Sequence, residues 1–223
     1  MLECVMEQCA VRYCLLTKQA QPIERWRTPA GISWKHSQHA LVVDHKEKKM
    51  NISDMRFPRQ LEADGSAEII LGELMSRTSK LWTGGEIDVP VITLNEPMKI
   101  ALKHARLQGR IRYGFDPILQ KLTGEKKGIT NVREQTDSPY GDRISRLLLF
   151  SNDGAERFYR HIEQVLEAHA PRLLGCLLDI DGADLGQLFT GEGGAIKIIM
   201  AEHKDVVSNV LRALVSGHDG ISK

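Results

Sequence analysis

Residues 147–182 read LLLFSNDGAERFYRHIEQVLEAHAPRLLGCLLDIDG, and this stretch decides the fold. Its two ends, Leu147 to Phe150 and Leu173 to Ile180, are short apolar runs typical of buried strands. Between them lies a helix signature in which Asp153 and Glu156 form a capping box. The apolar residues of that helix recur on one face: Phe158, Tyr159, Ile162, Val165 and Leu166. Two strands joined by a helix should be parallel, with a right-handed crossover.

The chain beyond residue 182 predicts one more strand and one more helix. Residues 195–201 form a third apolar run, and the Gly-rich stretch 182–194 before it predicts a hairpin with an antiparallel return. Residues 206–214 have helical periodicity and stop near Gly217. The order β-α-β-β-α resembles the ferredoxin-like plan and, loosely, the ACT-type small-molecule regulatory domains. Asp153-Gly154 stands where the ACT pattern has Pro-Gly, and the plan itself hosts many functions.

The first half of the chain is less regular. Residues 67–82 are partly in phase with a helix, and residues 89–94 predict a strand that Pro90 favours placing at a sheet edge. Asn95 then caps a helix whose first turn contains Pro97. Residues 123–143 are mostly polar and carry three glycines and a proline, a composition typical of a loop.

We therefore expect an α/β (α+β) protein with two lobes. An irregular N-terminal α+β lobe covers residues 1–122, and a linker or long loop covers 123–143. A ferredoxin-like β-α-β-β-α unit covers 144–223. A structureless loop of about 20 residues is uncommon inside one compact domain, which favours the division.

Composition narrows the class of protein without indicating an activity. The 223 residues carry a net charge of +1, so no global field selects a partner. No apolar run approaches the roughly 18–20 residues that cross a bilayer. Glu3 and Glu7 lie where a signal peptide would have a basic patch and an apolar block. We predict a cytoplasmic protein.

A row of cations marks the helix that follows Asn95. Lys99, Lys103, Arg106 and Arg110 recur at i, i+4, i+7 and i+11, which places them on one face, and Arg112 follows. From residue 97 to residue 133 there are nine lysines or arginines against two acids. Such a row suits a polyanion, because each neutralised phosphate releases counterions. The alternative is a solvated helix face.

Carboxylates follow the two strands that we expect to be parallel. Asp153, Asp179 and Asp181 would meet where those strands end, with Asn152 beside them and Glu192 brought close by the hairpin. Oxygen ligands at such an edge could hold Mg²⁺ for phosphoryl chemistry. The alternative is that these residues cap a helix and form turns.

These patterns give three hypotheses of function. The first is a binding or regulatory module for an anionic partner, either nucleic acid or a phosphorylated small molecule. Arg25-Trp26-Arg27 and Trp34-Lys35-His36 favour nucleic acid, since they interleave aromatic rings with cations. The second is a Mg²⁺-dependent enzyme that acts on a phosphate ester. The third is a subunit of a larger assembly, a homo-oligomer, because an open sheet edge invites pairing.

Overall fold

The computed structural model of the chain describes residues 51–136, 142–190 and 194–216, and all of them belong to one compact unit. Six strands form one sheet: β1 (Thr78–Lys80), β2 (Asp88–Ile92), β3 (Ile111–Tyr113), β4 (Arg146–Phe150), β5 (Leu173–Leu178) and β6 (Ile198–Ala201). The α-helices are α1 (Arg59–Ala63), α2 (Ser66–Ser76), α3 (Glu96–Leu107), α4 (Phe115–Gln135), α5 (Glu156–His169), α6 (Gly182–Thr190) and α7 (Lys204–Ser216). None of the helices in these ranges is long and apolar enough to cross a membrane.

The sheet has the order β1-β2-β5-β4-β6-β3. Its centre is parallel, because β5 runs parallel to both β2 and β4. The flanking pairs β1–β2, β4–β6 and β6–β3 are antiparallel. This mixed sheet confirms the predicted α/β class, and the expected parallel pairing of the first two apolar runs is confirmed as well.

Helices cover both faces of the sheet, so the strands alternate between two apolar cores. Leu147 and Leu149 point into one core, together with buried residues of α2, α3, α6 and α7. Leu148 and Phe150 point into the other, which includes buried residues of α4 and α5. A parallel strand buried on both faces needs an unbroken apolar run, and this requirement explains Leu147 to Phe150.

The predicted hairpin after β5 is wrong. Residues 182–190 form helix α6, and β6 pairs with β4 instead of β5. Two local features favour the helix: the Asp181 carboxylate accepts a hydrogen bond from the backbone N–H of Asp184, and Leu185 and Phe189 bury one face. The unit therefore has the order β-α-β-α-β-α, which differs from the predicted β-α-β-β-α order of the ferredoxin-like plan by the additional helix α6.

The expected loop over 123–143 also differs from the structure. Residues 123–135 are the second part of α4, and residues 137–141 lie outside the described ranges. Ile118 and Leu122 anchor this helix in the core. Gly124 and Gly128 lie on its exposed side, where glycine costs helix stability without breaking the packing. Strands from both sides of this segment share the sheet, so within the described residues it does not separate two sheets.

Two further details test the local predictions. The Asn95 cap is confirmed, because its side chain accepts a 2.8 Å hydrogen bond from the backbone N–H of Met98. The Asp153 cap is wrong: α5 has Ala155 at its N-cap position, and the Asp153 carboxylate is bound elsewhere. Pro90 does not lie on the edge strand, since β1 pairs with β2 outside it.

Helix α6 packs so closely on the segment before β6 that no side chain fits at Gly186. A Cβ atom there would lie 1.6 Å from the carbonyl oxygen of Gly194. We expect Gly186→Ala to lower the free energy of unfolding by about 1–3 kcal/mol through overpacking. Urea denaturation measures the change.

Gly72→Ala in α2 is the matched control, since a Cβ atom there meets no atom within 4 Å. We expect it to raise stability by about 0.5–1 kcal/mol. A Gly186→Ala protein as stable as the wild type would contradict the close approach of α6 to Gly194.

Candidate functional site

The carboxyl ends of β4 and β5 lie side by side, and the helices that follow these two strands pack on opposite faces of the sheet. Helix α5 leaves β4 toward one face of the sheet, and α6 leaves β5 toward the opposite face. Open α/β sheets bind ligands in the crevice that such a divergence creates. The sequence prediction that these two strand ends meet is correct.

Side chains of the protein itself occupy this crevice. Asp153 Oδ1 accepts hydrogen bonds from Ser151 Oγ at 2.6 Å and from the backbone N–H of Gly182 at 3.1 Å. Lys197 Nζ donates to the Asp153 carbonyl at 3.1 Å and lies 3.5 Å from Asp153 Oδ2. Asp153 thus joins the ends of β4 and β5 to the residue that precedes β6. We call this group the Asp153 clasp.

Electrostatics at the Asp153 clasp favour the ionised carboxylate. The hydrogen bond from Ser151 is the largest effect, and together with Lys197 and Gly182 it outweighs burial and holds the pKa of Asp153 below its ordinary value. Tyr159 links the two sides of the loop after β4. Its hydroxyl donates a hydrogen bond to the Ser151 carbonyl at 3.0 Å and accepts one from the Gly154 N–H. Burial is the main cause that raises the pKa of Tyr159.

The other two predicted metal ligands face different partners. Asp179 is ion-paired with Arg77 at 3.0 Å, and Asp181 binds the first turn of α6. Among the described residues, no group of three His, Cys, Asp or Glu side chains could hold one metal ion. Glu192 lies outside the described residues. The strand ends that were expected to form the Mg²⁺ site are therefore neighbours. The carboxylates of Asp153, Asp179 and Asp181 do not point to one common position.

The predicted row of cations lies on α3 and just beyond it. Lys99 is ion-paired with Glu96 at 2.5 Å, and Arg112 on β3 is ion-paired with Glu202. Lys103 and Arg106 are exposed, whereas Arg110 is half-buried after the helix ends. The row exists as a surface feature, and part of its charge is already neutralised.

Lys99 and Lys103 also line a shallow groove between α3 and α6. Leu94, Ile180 and Asp184 contribute to the same groove. Ile180 lies between Asp179 and Asp181 in the sequence. The row of cations on α3 therefore comes near the carboxyl end of β5 at this groove. None of Asp153, Asp179 and Asp181 is among the described residues that line the groove.

A third site, which the sequence analysis missed, lies at the amino ends of β4 and β5. A pocket of about 110 Å³ opens there between α4 and the end of α5. Its polar lining is predominantly basic, and no described residue that lines it is a carboxylate. The basic and imidazole side chains are Lys126, Arg133, Arg146, His169 and Arg172. We call this site the basic pocket.

Glu125 lies beside the basic pocket and contacts two of its arginines, Arg146 and Arg172. Glu125 Oε1 accepts hydrogen bonds from Arg146 Nη2 at 2.7 Å and from Nε at 3.2 Å. Glu125 Oε2 lies 3.6 Å from Arg172 Nη2, is shielded from solvent and makes no hydrogen bond with a described residue. Lys121, an exposed residue outside the pocket, is 3.7 Å from Glu125 Oε1.

The concentration of charge in the basic pocket shifts its titratable groups. Burial, followed by the charges of Lys126 and Arg172, lowers the pKa of His169, so its imidazole is neutral at pH 7. Burial, followed by Arg146, also lowers the pKa of Arg172, although a guanidinium stays charged at neutral pH. The apolar walls of the pocket include Leu122, Ile129 and Leu173.

The signal for this pocket was present in the sequence only in part. The run of cations from residue 97 to residue 133 includes Lys126 and Arg133, but its regular spacing lies on the helix that follows Asn95. Arg146 is the first residue of β4, Arg172 immediately precedes β5, and Arg146 pairs in register with Leu173. Since the amino ends of parallel strands also meet, a cation at each start was the usable signal.

Neither a scan against protein-family models nor a search of curated proteins found a match to this chain. The class of protein therefore follows from fold and site: an α/β protein with a mixed six-stranded sheet, an Asp153 clasp at one end and a basic pocket at the other.

The Asp153 clasp makes a testable contribution to stability. We expect Asp153→Ala to lower the free energy of unfolding at pH 7 by about 1–3 kcal/mol, because the buried Ser151 hydroxyl loses its 2.6 Å partner. The folded-state pKa of Asp153 is depressed, so its contribution is present above the unfolded pKa of about 3.9 and is lost as pH falls through the folded pKa. Urea denaturation between pH 7 and pH 2.5 should show the two proteins converging in acid.

Asp88→Ala is the control for removing an exposed carboxylate. Asp88 pairs with Lys80 at 3.2 Å, and both side chains are largely exposed. We expect a change within about 0.5 kcal/mol. An Asp153→Ala protein that tracks this control at every pH would show that the clasp does not hold the strand ends together.

Proposed function

We propose that this protein is a binding or regulatory module for a small anionic ligand, which it holds in the basic pocket. The observation that carries the proposal is the basic lining of that pocket: three arginines and a lysine line it, whereas the carboxylates that pair with the arginines, Glu125 and Asp142, do not. Gathering like charges in a half-buried site costs free energy, and a bound anion recovers it.

The partial burial of the arginines supports a ligand site over a solvated surface. The side chains of Arg146 and Arg172 are 16% and 21% exposed, whereas solvated charged side chains such as Lys80 and Asp88 are 46% and 60% exposed. The Arg146 guanidinium is held by hydrogen bonds to Glu125 and to the Ser145 carbonyl, which its Nη1 contacts at 2.6 Å, and Arg172 Nη2 lies 3.6 Å from Glu125. Preorganised guanidinium forks bind oxyanions with little further loss of side-chain entropy.

The size of the basic pocket favours a compact group. Pockets that enclose drug-sized ligands have volumes of about 300–1,000 Å³, and this pocket has about 110 Å³. A carboxylate or a single phosphoryl or sulfuryl group suits such a volume. A nucleobase with its sugar does not.

A nucleic-acid partner on the α3 row is the competing proposal. Lys103 and Arg106 support it because they are exposed and lie on one helix face. The aromatic and cationic residues from 25 to 36, which favoured it in the sequence, lie outside the described residues. The cytoplasmic location and the homo-oligomeric state also stay predictions.

Anion binding can be measured as ligand-induced stabilisation. If inorganic phosphate binds with a dissociation constant of about 1 mM, then 10 mM phosphate raises the free energy of unfolding by about 1.4 kcal/mol. We expect this stabilisation in the wild type at constant ionic strength. It should be lost in Arg172→Gln and Lys126→Gln, because each variant removes a cation from the pocket lining.

Arg106→Gln is the matched control, since Arg106 is exposed on α3 and does not line the basic pocket. The proposal predicts that this variant keeps the full stabilisation by phosphate. Equal losses in all three variants would indicate nonspecific charge effects. Salt-dependent retention on DNA that disappears only in Arg106→Gln would favour the competing nucleic-acid proposal.

A further inference from the structure

The basic pocket carries a definite excess of charge. Lys126, Arg146 and Arg172 line it, and Glu125 is the carboxylate that contacts two of them. Arg133 is ion-paired with Asp142 at 3.5 Å, so that pair adds no net charge. His169 adds none at neutral pH, because its pKa is lowered. Three cations against one carboxylate leave two positive charges facing the pocket.

The geometry of the donors suits an oxyanion with several oxygens. Arg146 and Arg172 approach from the starts of two neighbouring strands, and Lys126 reaches across from α4, where its Nζ donates to the Ala168 carbonyl at 3.0 Å. Donors that come from different sides match a tetrahedral group better than a planar carboxylate, which one guanidinium fork already satisfies.

We propose that the basic pocket recognises the phosphoryl group of a small phosphate monoester, bound as the dianion. This inference rests on the proposed function and narrows its ligand class. A phosphate monoester has a second pKa of about 6, so it carries nearly two negative charges at neutral pH. That charge compensates the excess in the pocket, and a phosphodiester or a carboxylate leaves one positive charge uncompensated.

The positions of the apolar and exposed residues around the pocket indicate the direction in which the rest of the bound ligand extends. Leu122 and Leu173 are buried beneath the pocket, whereas Lys126 and Thr130 lie on the exposed surface of α4. The phosphoryl group therefore lies between Lys126, Arg146 and Arg172, and the ester carbon points along α4 toward solvent. Selection then acts on the charge and shape of the phosphoryl group and imposes few limits on the remainder of the molecule.

The test compares methyl phosphate with dimethyl phosphate at pH 8.0 by isothermal titration calorimetry, at constant ionic strength. The two molecules differ by one charge and one methyl group. We expect methyl phosphate to bind about tenfold more tightly or better, because the second charge interacts in a partly dehydrated site. In Lys126→Gln the excess falls to one charge, so the ratio of the two affinities should fall several-fold. Arg106→Gln, outside the pocket, should keep the wild-type ratio.

The possible outcomes separate the two proposals. Equal affinities for the two esters, both lost in Arg172→Gln, would overturn the dianion inference and keep the anion-binding function. Failure of both esters and of inorganic phosphate to bind would overturn the proposed function itself. If inorganic phosphate and sulfate bind but methyl phosphate does not, the pocket excludes the ester carbon. This result would overturn the inference that the ligand is a phosphate monoester.

Discussion

The parallel pairing of β4 with β5 is the constraint on which the rest of the structure depends. Five residue pairs, from Arg146 and Leu173 to Phe150 and Leu177, set the register of the two strands. Every other strand joins this pair directly or through a neighbour. Because both faces of the pair are apolar, helices must cover both, and the helices that follow the two strands leave in opposite directions. The layered architecture is the consequence.

Parallel pairing also explains why the molecule has two chemically different ends. All carboxyl ends of β2, β5 and β4 lie on one side, where Asp153, Gly182 and Lys197 bind one another and occupy the crevice. All amino ends lie on the other side, where Arg146 and Arg172 are brought together. Many open α/β sheets place ligands at the first of these ends. In this protein hydrogen bonds from Ser151 and Gly182 engage Asp153 at the carboxyl ends, and the basic pocket lies at the amino ends.

Sequence patterns predicted the elements whose signals are local, and failed where packing decides. β4, α5, β5 and the Asn95 cap follow from apolar runs and capping residues within about ten positions. Helix α6 was missed because glycines usually mark turns, whereas Leu185 and Phe189 gain more by burial as a helix. The second half of α4 was missed for the same reason. The basic pocket could not be predicted from composition, since Lys126 and Arg172 are far apart along the chain and meet only because α4 packs beside the end of α5, which leads into β5.

Among the strands of the described residues, the two at the edges of the sheet limit how it can grow. β1 and β3 have three residues each, and every residue of β1 is exposed, including Lys80. Short edges with a charged side chain offer too few backbone groups for another chain to add stably. The homo-oligomer predicted from an open edge would therefore need a helical surface for its contact. The same short edges also give the folded protein little template for the growth of ordered aggregates.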